Sequence, residues 1–193
     1  MPRTFIAFAL SEINQDRLVR IKTDLDWTGA DIKWVDAGNI HLTLRFLGNI
    51  SDDLVPKIAE GLADIFAGTP GIPVTISRLG AFPSAGRPKV IWAGIDDPEA
   101  QIVAVYTRLQ EFLIGLGLPA EDRPFAAHLT IGRVRRLDRR HVLKNTLSAF
   151  TFEPPLRQSL TRIVLYLSAL TPAGPLYSVL VEVSLRDMST PRE

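Results

Sequence analysis

The chain has 193 residues, enough for one sizeable hydrophobic core and well past the size at which disulfides or a structural metal are needed to hold a fold. Hydrophobic residues make up 46% and charged residues 22%, values that exclude a disordered or fibrous class. With 22 Lys plus Arg against 21 Asp plus Glu, the net charge of +1 excludes indiscriminate nucleic-acid binding by the whole surface, so any anion preference is local.

Residues 3 to 10, RTFIAFAL, form an apolar, β-prone stretch. Ser11 follows as a helix N-cap, with Ile13, Leu18, Val19, Ile21 and Leu25 recurring at helical spacing. WVDAGN leads as a loop into the strand IHLTLRFLG, residues 40 to 48. DDLVPKIAEGLADIFAG has a helical pattern with Pro56 in the first turn, where the missing N–H is tolerated, and PVTISRLGAF reads as a strand. After the Pro- and Gly-containing turn FPSAGRP comes a further strand, KVIWAGI, residues 89 to 95. Asp96, Asp97 and Pro98 open a helix whose apolar stripe is Ile102, Val105, Leu109, Phe112 and Leu113, and Gly115 and Gly117 close it. The loop AEDRPFAA then leads into the strand HLTIGRV. LDRRHVLKNTLSAF is helical, and RQSLTRIVLYLSAL and PLYSVLVEVSL form a strand pair joined by TPAGP.

Both halves therefore run strand, helix, loop, His-Leu-Thr strand, which predicts an α+β fold built on a duplicated β-α-β-α-β type unit, with two sheets and helices on their outer faces. One bilobal domain over residues 1–193 is expected, with halves at 1–80 together with the C-terminal strands, and 81–170. Zero cysteines exclude disulfides, thiolate nucleophiles and Cys-ligated metal centres. The N-terminal apolar run turns polar after Leu10 without a small-residue cleavage pattern, and no apolar run approaches a membrane span. A cytoplasmic monomer with no membrane association and no obligate protein partner is expected.

His41 and His128 each open a His-Leu-Thr-aliphatic tetrapeptide. In a strand, residues i and i+2 share a face about 6 to 7 Å apart, so His41 with Thr43, and His128 with Thr130, present polar faces. Leu42, Leu44, Leu129 and Ile131 then point into the core. A pseudo-twofold axis relating the halves would bring the two polar faces into one cleft. Imidazoles suit general acid and base work near neutral pH, and hydroxyls suit the non-bridging oxygens of a phosphate. Metal binding is the competing reading, but no HxH, HExxH or Cys pattern completes a coordination shell, so neither a metal nor another cofactor is expected.

The paired HLTL and HLTI strands resemble the two HxTx motifs of the two-histidine (2H) phosphoesterase superfamily, and within it the RNA 2′,3′-cyclic phosphodiesterases, also called 2′-5′ RNA ligases. The resemblance extends to RTFIAF, WVDAGNIHLTLRFLG, LGAFPSAGRPKVIWAGI, FAAHLTIGRV and LYLSALTPAGPLYSVL, with Ala127 standing where the family often has Pro. It implies two antiparallel-rich sheets around a central cleft, and RNA ends or nucleotides carrying a 2′,3′-cyclic phosphate as substrate, opened by water to a 2′-phosphate. It also implies His41 as proton donor, His128 as proton acceptor, and Thr43 and Thr130 as ligands of the phosphate oxygens. A non-catalytic RNA-end or nucleotide-binding module using the same cleft is the alternative.

Arg133, at the end of the second motif strand, is the candidate for a further phosphate contact. It opens a basic run, residues 133 to 144, with six Lys or Arg against one Asp, which is either a solvated face or a track for an RNA backbone. His141 in this run reads as a surface residue. Trp34, Phe46 and Tyr177 either stack a base or belong to the core.

Overall fold

The structure, a computed structural model, describes residues 3–172 and 174–186. The apolar run at the N-terminus becomes β1 (Arg3–Ala9), and Ser11 takes the extended conformation of an N-cap before α1 (Glu12–Asp26). Its hydroxyl donates to Gln158 Oε1 at 3.3 Å instead of capping the helix. α1 buries Asn14, Leu18, Ile21 and Leu25, while Ile13 and Val19, expected on the apolar stripe, are 75% and 36% exposed. The buried stripe follows i, i+4, i+7, i+11 from Asn14, whose amide nitrogen donates to the Arg157 carbonyl and to Gln158 Oε1.

The chain continues through β2 (Ala30–Trp34), a 3-10 turn at Ala37–Asn39, β3 (His41–Gly48), α2 (Leu54–Phe66), β4 (Ile72–Phe82) and β5 (Val90–Asp96). Then come α3 (Gln101–Gly115), β6 (His128–Leu137), α4 (Arg140–Ala149), β7 (Thr151–Leu160), β8 (Arg162–Leu170) and β9 (Pro175–Ser184). α3 begins three residues after Pro98, and Asp97 still opens it: its carboxylate accepts from the N–H groups of Gln101 at 3.1 Å and Ile102 at 2.7 Å. It closes in a Schellman motif, with Gly117 at φ +87° and the Leu118 N–H donating to the Leu113 carbonyl at 3.0 Å.

The described strands form one hydrogen-bonded path, β7-β4-β5-β6-β3-β1-β8-β9, with β2 added on β6, and neighbouring strands are antiparallel. This order is symmetric about the β6–β3 junction. Moving outward, β5 answers β1, β4 answers β8 and β7 answers β9. The strands form one sheet rather than two, and its halves meet at a single registered pair, Leu42 with Leu129, the second residue of each tetrapeptide, so the pseudo-twofold axis passes between equivalent leucines. β4 follows α2 in sequence but pairs with β5, and β8 follows β7 but pairs with β1, so strands cross between the two sides of the axis.

All four helices contribute to one buried cluster that contains Leu42 and Leu129, with Leu18, Ile58, Leu109 and Leu143 among its members. The helices therefore share the leucine face of the sheet and leave the His and Thr face uncovered. Two strands depart from the sequence reading. Residues 30–34, read as part of a connection, form β2; and RQSLTRIVLYLSAL, read as one strand, is divided at Thr161 into the end of β7 and the whole of β8. β7 carries Pro154 and Pro155 because it is an edge strand, and its register with β4 jumps from Leu156 to Thr151 across them.

Candidate active site

His41 and His128 are the first residues of β3 and β6. With Leu42 paired to Leu129 in an antiparallel ladder, His41 falls beside Thr130 and Thr43 beside His128, on the face opposite the core. The four side chains make a quadrilateral with the imidazoles on its diagonal, where backbone positions are about 7 to 8 Å apart.

Each imidazole is anchored in the same way. His41 Nδ1 lies 2.9 Å from the Asn39 carbonyl and His128 Nδ1 lies 2.7 Å from the Ala126 carbonyl, each two residues upstream. A carbonyl only accepts, so Nδ1–H is the donor in both rings and Nε2 is left to exchange protons. The Asn39 amide in turn donates to the Pro175 carbonyl at 3.1 Å, tying the turn before β3 to β9.

The surroundings of the two rings differ. His41 stacks on Phe5 at 4.7 Å and meets the edge of Tyr177 at 5.5 Å. Burial among these rings pushes its pKa down to about 4; the Asn39 carbonyl opposes the shift, and the charge of His128 adds to it. His128 meets Phe82 edge-on at 4.9 Å. Burial also raises the Tyr177 phenol above its ordinary range, against the pull of the Arg133 guanidinium.

An irregularity repeated on both strands decides what else faces the cleft. Pairing of β3 with β1 passes from Thr43 to Arg45, and pairing of β6 with β5 passes from Thr130 to Gly132, leaving Leu44 and Ile131 as bulged residues. Each is the fourth residue of its tetrapeptide. Strict alternation would aim Arg45 and Gly132 into the cleft; the extra residue reverses the face, so Phe46 and Arg133 line it and Arg45 and Gly132 are buried. Arg45 is 5% exposed and pairs with Glu121 at 2.6 Å and with the Pro119 carbonyl. Gly132 has to be glycine, because a Cβ there would come within 2.7 Å of Ile32 and 3.2 Å of Trp34 on the neighbouring β2.

The resulting cavity has a volume of about 240 Å³, and its lining includes His41, Thr43, Thr130, Arg133, Phe46 and Tyr177. His128 is outside that lining, and the register places it next to Thr43. Lys33 lines the cavity as well, directly opposite Arg133 in the β2–β6 ladder, and the sequence reading missed it because β2 itself was missed. Trp34 packs over Gly132 against the core and also lines the cavity. His141 is exposed on α4, and all six basic side chains of residues 133–144 are exposed. Among the described residues, no three His, Asp or Glu side chains are grouped to hold a metal ion, and no helix is long and apolar enough to cross a membrane.

Comparison with known proteins also finds two matching stretches in the chain. The family described as LigT-like phosphoesterase matches residues 9–92 and again 95–177, each stretch carrying one His-Leu-Thr tetrapeptide. An RNA 2′,3′-cyclic phosphodiesterase of Thermotoga maritima is 33% identical over 180 residues, spanning 93% of this chain and 94% of the relative. The crystal structure of a Thermus thermophilus protein superposes with a TM-score of 0.79 at 25% identity, covering 96% of this chain and 99% of the other. E. coli LigT complexed with 3′-AMP superposes with a TM-score of 0.75 at 23% identity, over 96% of this chain and 99% of its own, which extends the likeness of fold. Matched in both of its halves over most of its length, the chain belongs to the LigT-like phosphoesterase family.

Proposed function

We propose that this protein hydrolyses 2′,3′-cyclic phosphate ends of RNA, or of nucleotides, to 2′-phosphates without a metal ion. The observation that carries the reading is the Leu42–Leu129 register, which sets two imidazoles diagonally across one cleft, each beside the hydroxyl of the other motif. In this mechanism His128 Nε2 takes a proton from water as its oxygen bonds to phosphorus. The bond from phosphorus to O3′ breaks, and His41 Nε2 gives its proton to O3′. Thr43 and Thr130 donate to the non-bridging oxygens, and Arg133 adds a guanidinium contact to the same phosphate. Positioning and charge neutralisation of this kind are most of what phosphoryl transfer demands.

Burial disfavours the charged form of His41, so its proton enters with the substrate, whose negative charge offsets the penalty of a buried cation. Several relatives bear the name RNA 2′,3′-cyclic phosphodiesterase, among them proteins of Aeropyrum pernix and Aquifex aeolicus, which supports the substrate class. One chain supplies every group named, which supports the monomer as the active unit. The test is incubation with 2′,3′-cyclic AMP in excess chelator, with the product isomer identified by phosphorus NMR. Adenosine 2′-phosphate is expected; binding without turnover would make the cleft a nucleotide-binding module instead.

A further inference from the structure

We propose that Arg45 is a positioning residue for His128, acting from the opposite face of the sheet through the loop that leads into β6. This rests on the cyclic phosphodiesterase reading above, in which His128 takes the proton from water. Each motif strand is preceded by a connection that must place a histidine, and each connection is held by the motif strand of the other half. The first, ending at His41, contains β2, which is laddered along β6 from Gly132 to Leu137. The second, residues 116–127, enters no helix or strand. It ends beside Ala126, whose carbonyl accepts from His128 Nδ1 at 2.7 Å.

Arg45 supplies by side chain what β2 supplies by backbone. It follows the bulge at Leu44 as Gly132 follows the bulge at Ile131, and both are buried away from the cleft. Where Gly132 leaves room for Ile32 and Trp34 of β2, Arg45 reaches the second connection: Nη1 donates to Glu121 Oε2 at 2.6 Å and Nη2 to the Pro119 carbonyl. A rigid guanidinium, 5% exposed and gripping the loop at two points, fixes where the loop lies. The hold continues through two rings. Phe125 stacks on Tyr106 of α3 at 4.2 Å. Burial pushes the Tyr106 phenol up, the Glu121 carboxylate adds to the shift and Arg45 opposes it, so that ring lies within reach of both charges. Ala126 follows Phe125 directly. Loss of the clamp therefore frees the carbonyl that decides which nitrogen of His128 carries the proton. The Asn39 anchor of His41, tied to Pro175 of β9, is untouched.

The experiment compares wild type with Arg45→Met, Arg45→Lys and Glu121→Gln on 2′,3′-cyclic AMP, and follows the ring nitrogens of His41 and His128 by heteronuclear NMR in mildly alkaline buffer. Arg45→Met is expected to lower kcat about 10- to 100-fold with KM for cyclic AMP unchanged, the effect that a small misplacement of a reacting group produces. Its His128 ring should pass from the Nδ1–H form to a mixture of tautomers, while the His41 ring stays as in wild type. Arg45→Lys recovers part of kcat, and Glu121→Gln, which keeps an acceptor but not the charge, shows the same change in His128 to a smaller degree. A fall in urea stability with kcat and the His128 tautomer unchanged would make Arg45 a purely structural residue and overturn the proposal. An equal change in both rings would overturn it too, as general loosening of the fold. Should Arg45→Met not fold, an unaltered His128 ring in Glu121→Gln is enough to overturn it. If wild type leaves cyclic AMP intact, the phosphodiesterase reading fails, and the spectra of the two rings still decide whether Arg45 orients His128.

Discussion

Replacing His41 by Asn isolates a pH-dependent contribution to stability that the cleft builds into the fold. In the unfolded chain the imidazole takes up a proton near pH 6.5; in the folded one, buried against Phe5 and Tyr177, it does so at about 4. The folded value is depressed, so the native state favours the neutral ring. Its stability is complete above about pH 6.5 and is lost as the pH falls toward 4. A gap of about 2.5 pH units, at roughly 1.4 kcal/mol per unit, amounts to at most about 3.5 kcal/mol across that window. Urea unfolding of wild type and His41→Asn between pH 7 and 4.5 measures it: wild type should lose stability the faster of the two. Parallel stability curves would refute the burial argument. The same burial has a catalytic consequence. If His41 is the proton donor, burial makes it gain that proton with the ligand, so adenosine 2′-phosphate binding near pH 7 should draw close to one proton from solution, read by calorimetry in buffers of different ionisation enthalpy. Binding without proton uptake would refute His41 as the donor and transfer that role to His128.

His41→Ala and His128→Ala should each lower turnover of a 2′,3′-cyclic nucleotide by about 10² to 10⁴ with far-UV circular dichroism unchanged; near-wild-type hydrolysis by either sinks the acid–base assignment. Glu121→Ala should destabilise the fold by roughly 2 to 3 kcal/mol in urea, because it leaves the Arg45 guanidinium buried with a carbonyl as its remaining partner. A loss below about 1 kcal/mol would mean that the Arg45–Glu121 pair behaves as a surface ion pair. Neutralising Arg135, Arg136, Arg139 and Arg140 to Gln should weaken binding of single-stranded RNA and flatten its log–log salt dependence by roughly 0.7 for each phosphate no longer neutralised, while cyclic AMP turnover is spared. An unchanged salt slope would return those residues to a solvated face.

Much of the cleft was legible because its signal is local. A His-x-Thr pair in a strand shares a face whatever surrounds it, and two such pairs in matching surroundings announce a duplication. The helices were legible for the same reason, through Leu18, Ile21 and Leu25 or Ile102, Val105 and Leu109, although Ile13 and Val19 show that apolar residues off the stripe mislead. What escaped depends on partners far along the chain. The bulges at Leu44 and Ile131 exist only against β1 and β5, and without them Phe46 and Arg133 fall on the wrong face. Arg133 was still found, since its chemistry pointed to phosphate; Phe46 carried no comparable mark and its open face is a tertiary fact. β2 was hidden because five residues of mixed polarity become a strand only beside β6, and β7 because two prolines look like a break until the strand is seen to lie at an edge.

Duplication supplies two equivalent imidazoles, yet acid–base catalysis needs them to differ, and the difference has to come from what packs around each. In the symmetric strand order the outer partners of the two halves are β9 and β7. β9 brings Tyr177 against His41, with Tyr166 of β8 at 6.1 Å, whereas among the described residues the aromatic ring against His128 is Phe82. The β8–β9 hairpin is then an element that buries His41 and lowers its proton affinity, a case of environment shaping the role of a catalytic group. Tyr177→Ala should admit water to His41 and move its titration midpoint, followed by NMR of the ring protons, from about 4 toward the ordinary 6.5, because desolvation is the largest cause of its depression. A midpoint that stays near 4 in that variant would place the cause in Phe5 and the strand backbone instead, and the hairpin would have no part in making one histidine unlike the other.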